Sequence, residues 1–392
     1  MLTRELEYEL PPERIATEPA EPRDSARLMV IRRESQVIEH RIVRDLGDAS
    51  ASLLRPGDLI VFNQSKVLPA HFEATRAGTG GKVNGLYTRS VTGDERLWET
   101  MLESGGKLRE GERVRFVDDS ELELLTKLDG GLWRARLHGS LSTLDLLHRV
   151  GQVPLPPYIV AQRKKQHESE IRPGDFERYN TVYAREEGSV AAPTAGLHFT
   201  QDLLDRVRGM GVQTAFVTLH VGLGTFAPVR AERLEDHKMH REWMSVPGET
   251  IAMLEATRAA GGRIVPVGTT SVRALESLPA IVTDDVRRNG FAAETDLLIA
   301  PGVAEVRGTG APSVLPLNDS SPTPDTRHPT PAPYPFRFTD ALMTNFHLPH
   351  STLLALVAAL PGVGIDRLKS WYRTAIEQNY RFYSYGDAML LI

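Results

Sequence analysis

The stretch Gln201-Asp202-Leu203-Leu204-Asp205-Arg206-Val207-Arg208-Gly209-Met210 is followed, after Gly211-Val212-Gln213, by Thr214-Ala215-Phe216-Val217-Thr218-Leu219-His220-Val221. The first part carries its apolar residues at helical spacing. The second is a short, mostly apolar run of strand length. The same alternation repeats outward. Ile251 to Ala260 precedes Ile264 to Val267, Val272 to Leu278 precedes Asp296 to Ile299, and Ala341 to Phe346 is paired with Ser351 to Leu360. Helices alternating with strands predict βαβ units and a mostly parallel sheet. Toward the N-terminus, Arg27 to Arg32 and Gln36 to Val43 read as a hairpin. Asp58 to Phe62 reads as a buried strand after the turn Arg55-Pro56-Gly57. Between about Glu73 and Leu137 the period changes. Short strand-like runs (Val83 to Tyr87, Leu97 to Leu102, Arg113 to Phe116, Leu122 to Leu125, Trp133 to Leu137) are punctuated by Gly80-Gly81, Gly105-Gly106 and Gly130-Gly131, a pattern of small barrels or sandwiches. The predicted class is therefore α/β: a mostly parallel α/β domain of residues 1–63 and 151–392, with a small β-barrel domain of residues 64–150 inserted into it.

Hydrophobic residues make up 41% and charged residues 25% of the 392, enough apolar content for a large core. With Cys at 0, disulfides, thiolate nucleophiles and cysteine-bound metals are excluded, which suits a reducing cytosol. The opening Met1-Leu2-Thr3-Arg4-Glu5-Leu6-Glu7 lacks the apolar run of a secretion signal, and the longest apolar run, Leu353 to Leu360, is too short to span a bilayer. A cytoplasmic protein without membrane association is expected. The net charge of −5 argues against a nucleic-acid coat. The densest basic run, Arg163-Lys164-Lys165 with Arg172, reads first as a solvated loop. Residues 308–335 hold Pro312, Pro316, Pro322, Pro324, Pro329, Pro331, Pro333 and Pro335 among Ser and Thr, and read as a flexible surface loop.

Several short blocks carry polar chemistry. In Ala191-Ala192-Pro193-Thr194-Ala195-Gly196-Leu197-His198-Phe199-Thr200, small residues precede a helix start, so a ligand can approach the backbone and free N–H groups favour anions. A tight connection with His198 as a core residue fits the pattern equally well. Gly222-Leu223-Gly224-Thr225 ends a strand but lacks the third glycine of a dinucleotide fingerprint. His220 sits just before it, where open α/β sheets bind ligands. His237-Lys238-Met239-His240 would share a helix face, but no carboxylate or thiolate completes a metal set. Gly268-Thr269-Thr270-Ser271-Val272-Arg273 opens a helix after a strand. Its hydroxyls serve as caps, and with Arg273 they could hold a carboxylate. Thr344-Asn345-Phe346-His347-Leu348-Pro349 has the same position at a strand end, with a helix to follow. Tyr380 to Asp387 packs four aromatics into six residues, as core or as a stacking surface.

Together, and in this order, these blocks resemble the S-adenosylmethionine:tRNA ribosyltransferase-isomerase family. Glu21-Pro22-Arg23-Asp24-Ser25-Ala26-Arg27-Leu28, Pro154-Leu155-Pro156-Pro157-Tyr158-Ile159, Tyr179-Asn180-Thr181-Val182-Tyr183-Ala184 and Ser384-Tyr385-Gly386-Asp387-Ala388-Met389 extend the match to both ends of the chain. The resemblance implies an α/β domain with an inserted barrel. It implies transfer and isomerisation of the ribosyl part of S-adenosylmethionine onto 7-aminomethyl-7-deazaguanine at the tRNA wobble position, giving epoxyqueuosine, adenine and methionine. S-adenosylmethionine is then a co-substrate, tRNA the partner, no metal or bound cofactor is needed, and a monomer is expected. The chemistry requires a base beside the sulfonium and an acid at the departing adenine, and His198, His220, His237, His240 and His347 form the pool. Substrate contacts are expected from Arg23, Asp24, Arg27, Asn63, Pro193, Thr194, Gly196, Gly222, Gly224, Thr225, Thr269, Thr270 and Asn345. Arg273 is expected at the methionine carboxylate, and Tyr383, Tyr385 and Asp387 at the sulfonium.

The chain departs from the family's habits in and near the barrel. Phe62-Asn63-Gln64-Ser65-Lys66-Val67 replaces Phe-Asn-Asp-Thr-Arg/Lys-Val, and Gly80-Gly81-Lys82-Val83-Asn84-Gly85 replaces Gly-Gly-Lys-Val-Glu-Val. Two carboxylates have become amides, which keep hydrogen bonding and lose charge. A diverged paralogue acting on another base or a small molecule, and a non-catalytic RNA- or nucleotide-binding protein, are the competing readings. The intact His-rich blocks favour an enzyme.

Overall fold

The computed structural model describes residues 1–91, 93–222, 224, 229–302 and 334–392. Nine strands form one sheet in the spatial order Phe291–Thr295, Glu242–Val246, Gln213–Leu219, Leu59–Asn63, Ile264–Val267, Leu342–Asn345, Ala388–Leu391, Arg27–Arg32 and Val37–Ile42. The four strands from Gln213–Leu219 to Leu342–Asn345 run parallel to one another. Both flanks add antiparallel pairings, so the sheet is mixed at its edges and parallel at its centre.

The central strands are apolar on both faces because each face is covered. In Leu59–Asn63, Leu59 and Val61 enter one core with Val217, Ile251 and Leu254, while Ile60 and Phe62 enter another with Leu203, Leu204 and Val207. Arg27–Arg32 divides likewise, Leu28 and Val30 on the second core, Met29 and Ile31 on a third with Leu354, Leu356 and Trp371. Continuous apolar runs are what a doubly covered sheet requires. The helices start on side-chain caps: Thr200 accepts from the Leu203 amide ahead of Gln201–Gly209, and Ser351 accepts from the Leu354 amide ahead of Thr352–Ala358.

The inserted unit is a closed antiparallel barrel of six strands, His71–Arg76, Lys82–Val91, Asp94–Ser104, Leu132–His138, Glu121–Lys127 and Arg113–Arg115, the last pairing back to the first. Its interior holds Phe72, Trp98, Phe116, Leu122 and Trp133. Closure leaves no free edge. Gly85, where the resembled family places Val, has its side-chain space filled by the Phe72 ring.

Three readings change. Asp296 to Ile299 is irregular; the strand ends at Thr295, whose hydroxyl takes the Leu297 amide, and Leu297 and Ile299 are apolar because they are buried in the core. Residues 237–240 follow a short 3-10 turn, Leu234–Asp236, and do not form a helix. The basic run lies on the helix Pro157–Lys165, with Arg163 fully buried and bidentate to Asp175 at 2.6 and 3.0 Å. Lys164 pairs with Glu170, and Arg172 with Glu168 and Glu18, so the run is largely neutralised. Most of the Pro-rich stretch lies outside the described residues.

Gly85→Ala should destabilise the chain by about 1–3 kcal/mol, because a methyl there must displace a ring in a closed barrel. Thermal unfolding followed by circular dichroism checks this; an unchanged midpoint would mean that Phe72 has room to turn aside.

Candidate active site

Strands Gln213–Leu219, Ile264–Val267 and Leu342–Asn345 point their carboxyl ends the same way, and a cleft opens beyond them with about 560 Å3 of empty space continuous with solvent. Carboxyl ends of parallel strands are where open α/β sheets place ligands. Val221 comes from the first strand's exit, Gly268, Thr269 and Thr270 from the second, and Thr344, Asn345, Phe346 and His347 from the third. Pro193, Thr194 and Ala195 form another wall, and Tyr158, Tyr383 and Ser384 close it.

The polar groups of this cleft are tightly arranged. His347 Nε2 lies 2.8 Å from Thr344 Oγ1, its amide donates to the Tyr372 hydroxyl at 2.9 Å, and its carbonyl accepts from Tyr8 at 2.5 Å. Asn345 Nδ2 lies 3.3 Å from His198 Nε2 and 3.0 Å from the Tyr383 carbonyl. Asn345 Oδ1 and Thr270 Oγ1 are buried without a partner. Tyr158 meets Ser384 Oγ at 2.5 Å, and its ring is 4.9 Å from that of Tyr383. Burial lowers the histidines, His198 to about 4 and His347 to about 3, because a charged imidazole loses its hydration there. Both are neutral at pH 7. Desolvation raises the Tyr158 and Tyr383 phenols, which stay protonated.

Of the expected site residues, His347, Pro193, Thr194, Thr269, Thr270, Asn345 and Tyr383 line the cleft, and His198 stands behind Asn345. The others are placed elsewhere. His220 bonds through Nδ1 to Ser65 Oγ at 2.8 Å and stacks on Trp243 at 5.1 Å; burial lowers it to about 4. Gly188 makes room for its ring. His237 is half-buried and lowered by desolvation, then by His240; His240 is exposed and packs over Gly224. Arg273 is held by the Glu242 carboxylate and the Leu297 carbonyl, and Glu242 also accepts from the Gly222 amide at 2.9 Å. Asp387 takes the Arg381 and Arg27 amides at 2.8 and 3.1 Å. Arg27 lies over the Tyr380 ring at 3.8 Å. Arg23 donates to the Asn180 and Glu177 carbonyls, and Asp24 pairs with Arg44 at 3.3 Å and Arg206 at 3.6 Å. Asn63 bridges two strand ends, Tyr385 packs edge-on against Tyr179, and Gly196 leaves space for the Tyr183 hydroxyl. Thr225 lies outside the described residues. Tyr158, Thr344 and Ser384 were not singled out from the sequence, although each sits inside a block quoted above; the period of the pattern could not say which hydroxyls face inward. Among the described residues no group of three His, Asp or Glu side chains could hold a metal ion, and no helix is long and apolar enough to cross a membrane.

The fold and cleft define an α/β protein with a cleft at the carboxyl edge of its sheet, where such sheets place ligands, and a closed barrel inserted into it. The chain belongs to the queuosine biosynthesis protein family, whose profile matches residues 3–308 and 320–391. It is 42% identical to the S-adenosylmethionine:tRNA ribosyltransferase-isomerase of Thermotoga maritima and 44% identical to that of Symbiobacterium thermophilum, with 100% of both chains covered in each case. It is 43% identical to the protein so named from Caulobacter sp. strain K31, of which 96% is covered. A crystal structure of S-adenosylmethionine tRNA ribosyltransferase from Thermotoga maritima is similar with a TM-score of 0.50 and 33% identity, over 99% of this chain and 100% of that one.

The lowered histidines fix a pH response. A histidine whose folded value lies below its unfolded value of about 6.5 binds fewer protons in the native state, so its contribution is complete above that pH and shrinks as pH falls toward 4. The slope approaches about 1.4 kcal/mol per pH unit for each such group. In heteronuclear NMR, the imidazole resonances of His198 and His347 should stay in the neutral form from pH 8 down to about 5. Titration of either near 6.5 would show a solvated ring.

Proposed function

We propose that this chain is an S-adenosylmethionine:tRNA ribosyltransferase-isomerase acting in the cytosol. It transfers and isomerises the ribosyl moiety of S-adenosylmethionine onto 7-aminomethyl-7-deazaguanine at the tRNA wobble position, with release of adenine and methionine. The observation that carries this reading is the cleft itself. Buried polar atoms without partners, Asn345 Oδ1 and Thr270 Oγ1, stand among apolar and aromatic walls at the carboxyl ends of parallel strands. The relatives' shared name supplies the reaction class.

The residues divide the work as follows in this proposal. The start of the helix Thr269–Glu276, with Thr269 and Thr270, takes the methionine carboxylate through free amides and hydroxyls. Arg273 is left out of that role, since Glu242 already neutralises it. The rings of Tyr158 and Tyr383 face the sulfonium. His347, neutral and linked to Thr344, moves the proton beside the sulfonium. The proton lost beside the sulfonium is balanced by the one adenine takes up as the ribose–adenine bond breaks; the methionine sulfur leaves as a neutral thioether, and the acceptor amine closes on the reopened sugar with release of its own proton.

The deciding assay incubates the full chain with S-adenosylmethionine and tRNA carrying the deazaguanine precursor. Adenine release and a modified nucleoside of the expected mass support the proposal; absence of both overturns it. His347→Ala should lower turnover at least about a hundredfold with the fold retained by circular dichroism. Near-normal turnover would remove His347 from the chemistry.

A further inference from the structure

The carboxamide of Asn345 has its orientation dictated by its neighbours. The Tyr383 carbonyl can only accept, so the group 3.0 Å from it must be the amide nitrogen. The second N–H of that nitrogen points at His198 Nε2, 3.3 Å away. Both donors are therefore spent inside the protein. Asn345 is 3% exposed, lines the cleft, and has its remaining atom, Oδ1, without a partner. A buried acceptor left bare is costly unless a ligand completes it. Whatever completes this one must bring an N–H or an O–H.

We infer that Asn345 Oδ1 reads the exocyclic amino group of an adenine base, and that His198 is a positioning residue that locks the amide for this purpose. This rests on the proposed use of S-adenosylmethionine. The surrounding lining, Pro193, Ala195, Val221, Phe346 and Leu353, is apolar and suits a flat base. An ammonium calls for several acceptors and is disfavoured near the positive end of the helix Thr269–Glu276, while among the lining side chains Asn345 Oδ1 and Thr270 Oγ1 alone stand buried without a partner. Asparagine often grips adenine with both its nitrogen and its oxygen. Here the nitrogen is taken, so only the amino group is read. A base with a carbonyl at that position would set two acceptors against each other. His198 suits the lock because its Nε2 accepts, which places its proton on Nδ1, and burial keeps the ring neutral.

The test compares binding of 5′-methylthioadenosine and 5′-methylthioinosine to the full chain, by calorimetry or by competition against labelled S-adenosylmethionine. The two ligands differ in amino against carbonyl at C6, with a proton added at the neighbouring N1 of the inosine compound, and neither carries the amino-acid arm. The wild-type chain should prefer the adenine compound by about tenfold or more. Asn345→Ala should abolish the preference. His198→Ala should weaken it, because the amide then keeps the Tyr383 carbonyl as its one remaining anchor. His198→Gln should retain it, because the new side-chain carbonyl can accept the same N–H. The ratio within one variant is insensitive to how much of the preparation is folded. Equal binding of the two compounds by the wild type overturns the inference, as does an undiminished preference in Asn345→Ala. If Asn345→Ala weakens S-adenosylmethionine alone and leaves the ratio intact, the oxygen reads the methionine ammonium and the inference is again overturned. A wild-type chain that binds S-adenosylmethionine and neither thioether counts against the inference only. One that does not bind S-adenosylmethionine sinks the proposed function first.

Discussion

Asn63 ends a central parallel strand at the point where the chain leaves the sheet to build a barrel. Its Nδ2 donates to the Leu219 carbonyl at 2.9 Å, and its Oδ1 accepts from the Leu219 amide at 3.0 Å and the Ser65 amide at 3.1 Å. One buried side chain thus continues the ladder of the neighbouring strand while releasing its own backbone. A parallel strand normally runs on into its helix, so an exit toward an inserted unit leaves main-chain groups that need partners. Asn63 meets that need. Ser65–Val67 then pairs with Glu186–Ser189, and Ser65 Oγ fixes the His220 ring. The exit of strand Gln213–Leu219 is thus tied to Asn63, and Val221 at the rim of the cleft to Ser189, whose hydroxyl takes the Val221 amide at 2.9 Å.

The cleft's own chemistry follows from the kind of groups that line it. Charged side chains near the edge of the sheet are paired among themselves: Arg273 with Glu242, Asp387 with Arg381, Arg163 with Asp175. What faces the empty space is hydroxyl, carboxamide, neutral imidazole and aromatic ring. Such a surface offers no fixed net charge to a sulfonium and holds it through ring faces and dipoles. It also leaves a developing charge in the substrate poorly screened, which makes each oriented group count for more than it would in water.

The fold was legible because it rests on period. The strands Arg27–Arg32 and Ile264–Val267 were delimited from the sequence as they stand in the structure, and the helix Gln201–Gly209 to within a residue. Asp296 to Ile299 failed because burial in an irregular segment produces the same apolar letters as a strand. The site was legible only as blocks. Pattern could bring 191–200, 268–273, 344–349 and 383–386 to notice, yet it could not tell Arg273 bound to Glu242 from Arg273 bound to a carboxylate ligand. Partners such as Glu242 lie far away in sequence, and only the folded chain reveals that the cation's charge is already paired, with Nη2 alone left without a partner. Histidine was ambiguous for the same reason: His220 and His347 both follow strands, and side-chain direction separates them.

The departures near the barrel look different once the neighbours are known. Asn84 is exposed and lies across from Glu73 on one strand and Glu103 on the other. A glutamate there would complete a row of three carboxylates, and like charges directly opposite weaken a sheet. The amide relieves that row, just as Phe72 fills the space vacated at Gly85. Gln64 reaches Thr218 Oγ1 at 3.3 Å, and its carbonyl takes the Arg185 amide at 2.8 Å, within the hinge that Asn63 begins. Neither Gln64 nor Asn84 lines the cleft. Local compensation inside the barrel therefore accounts for Asn84 and Gly85.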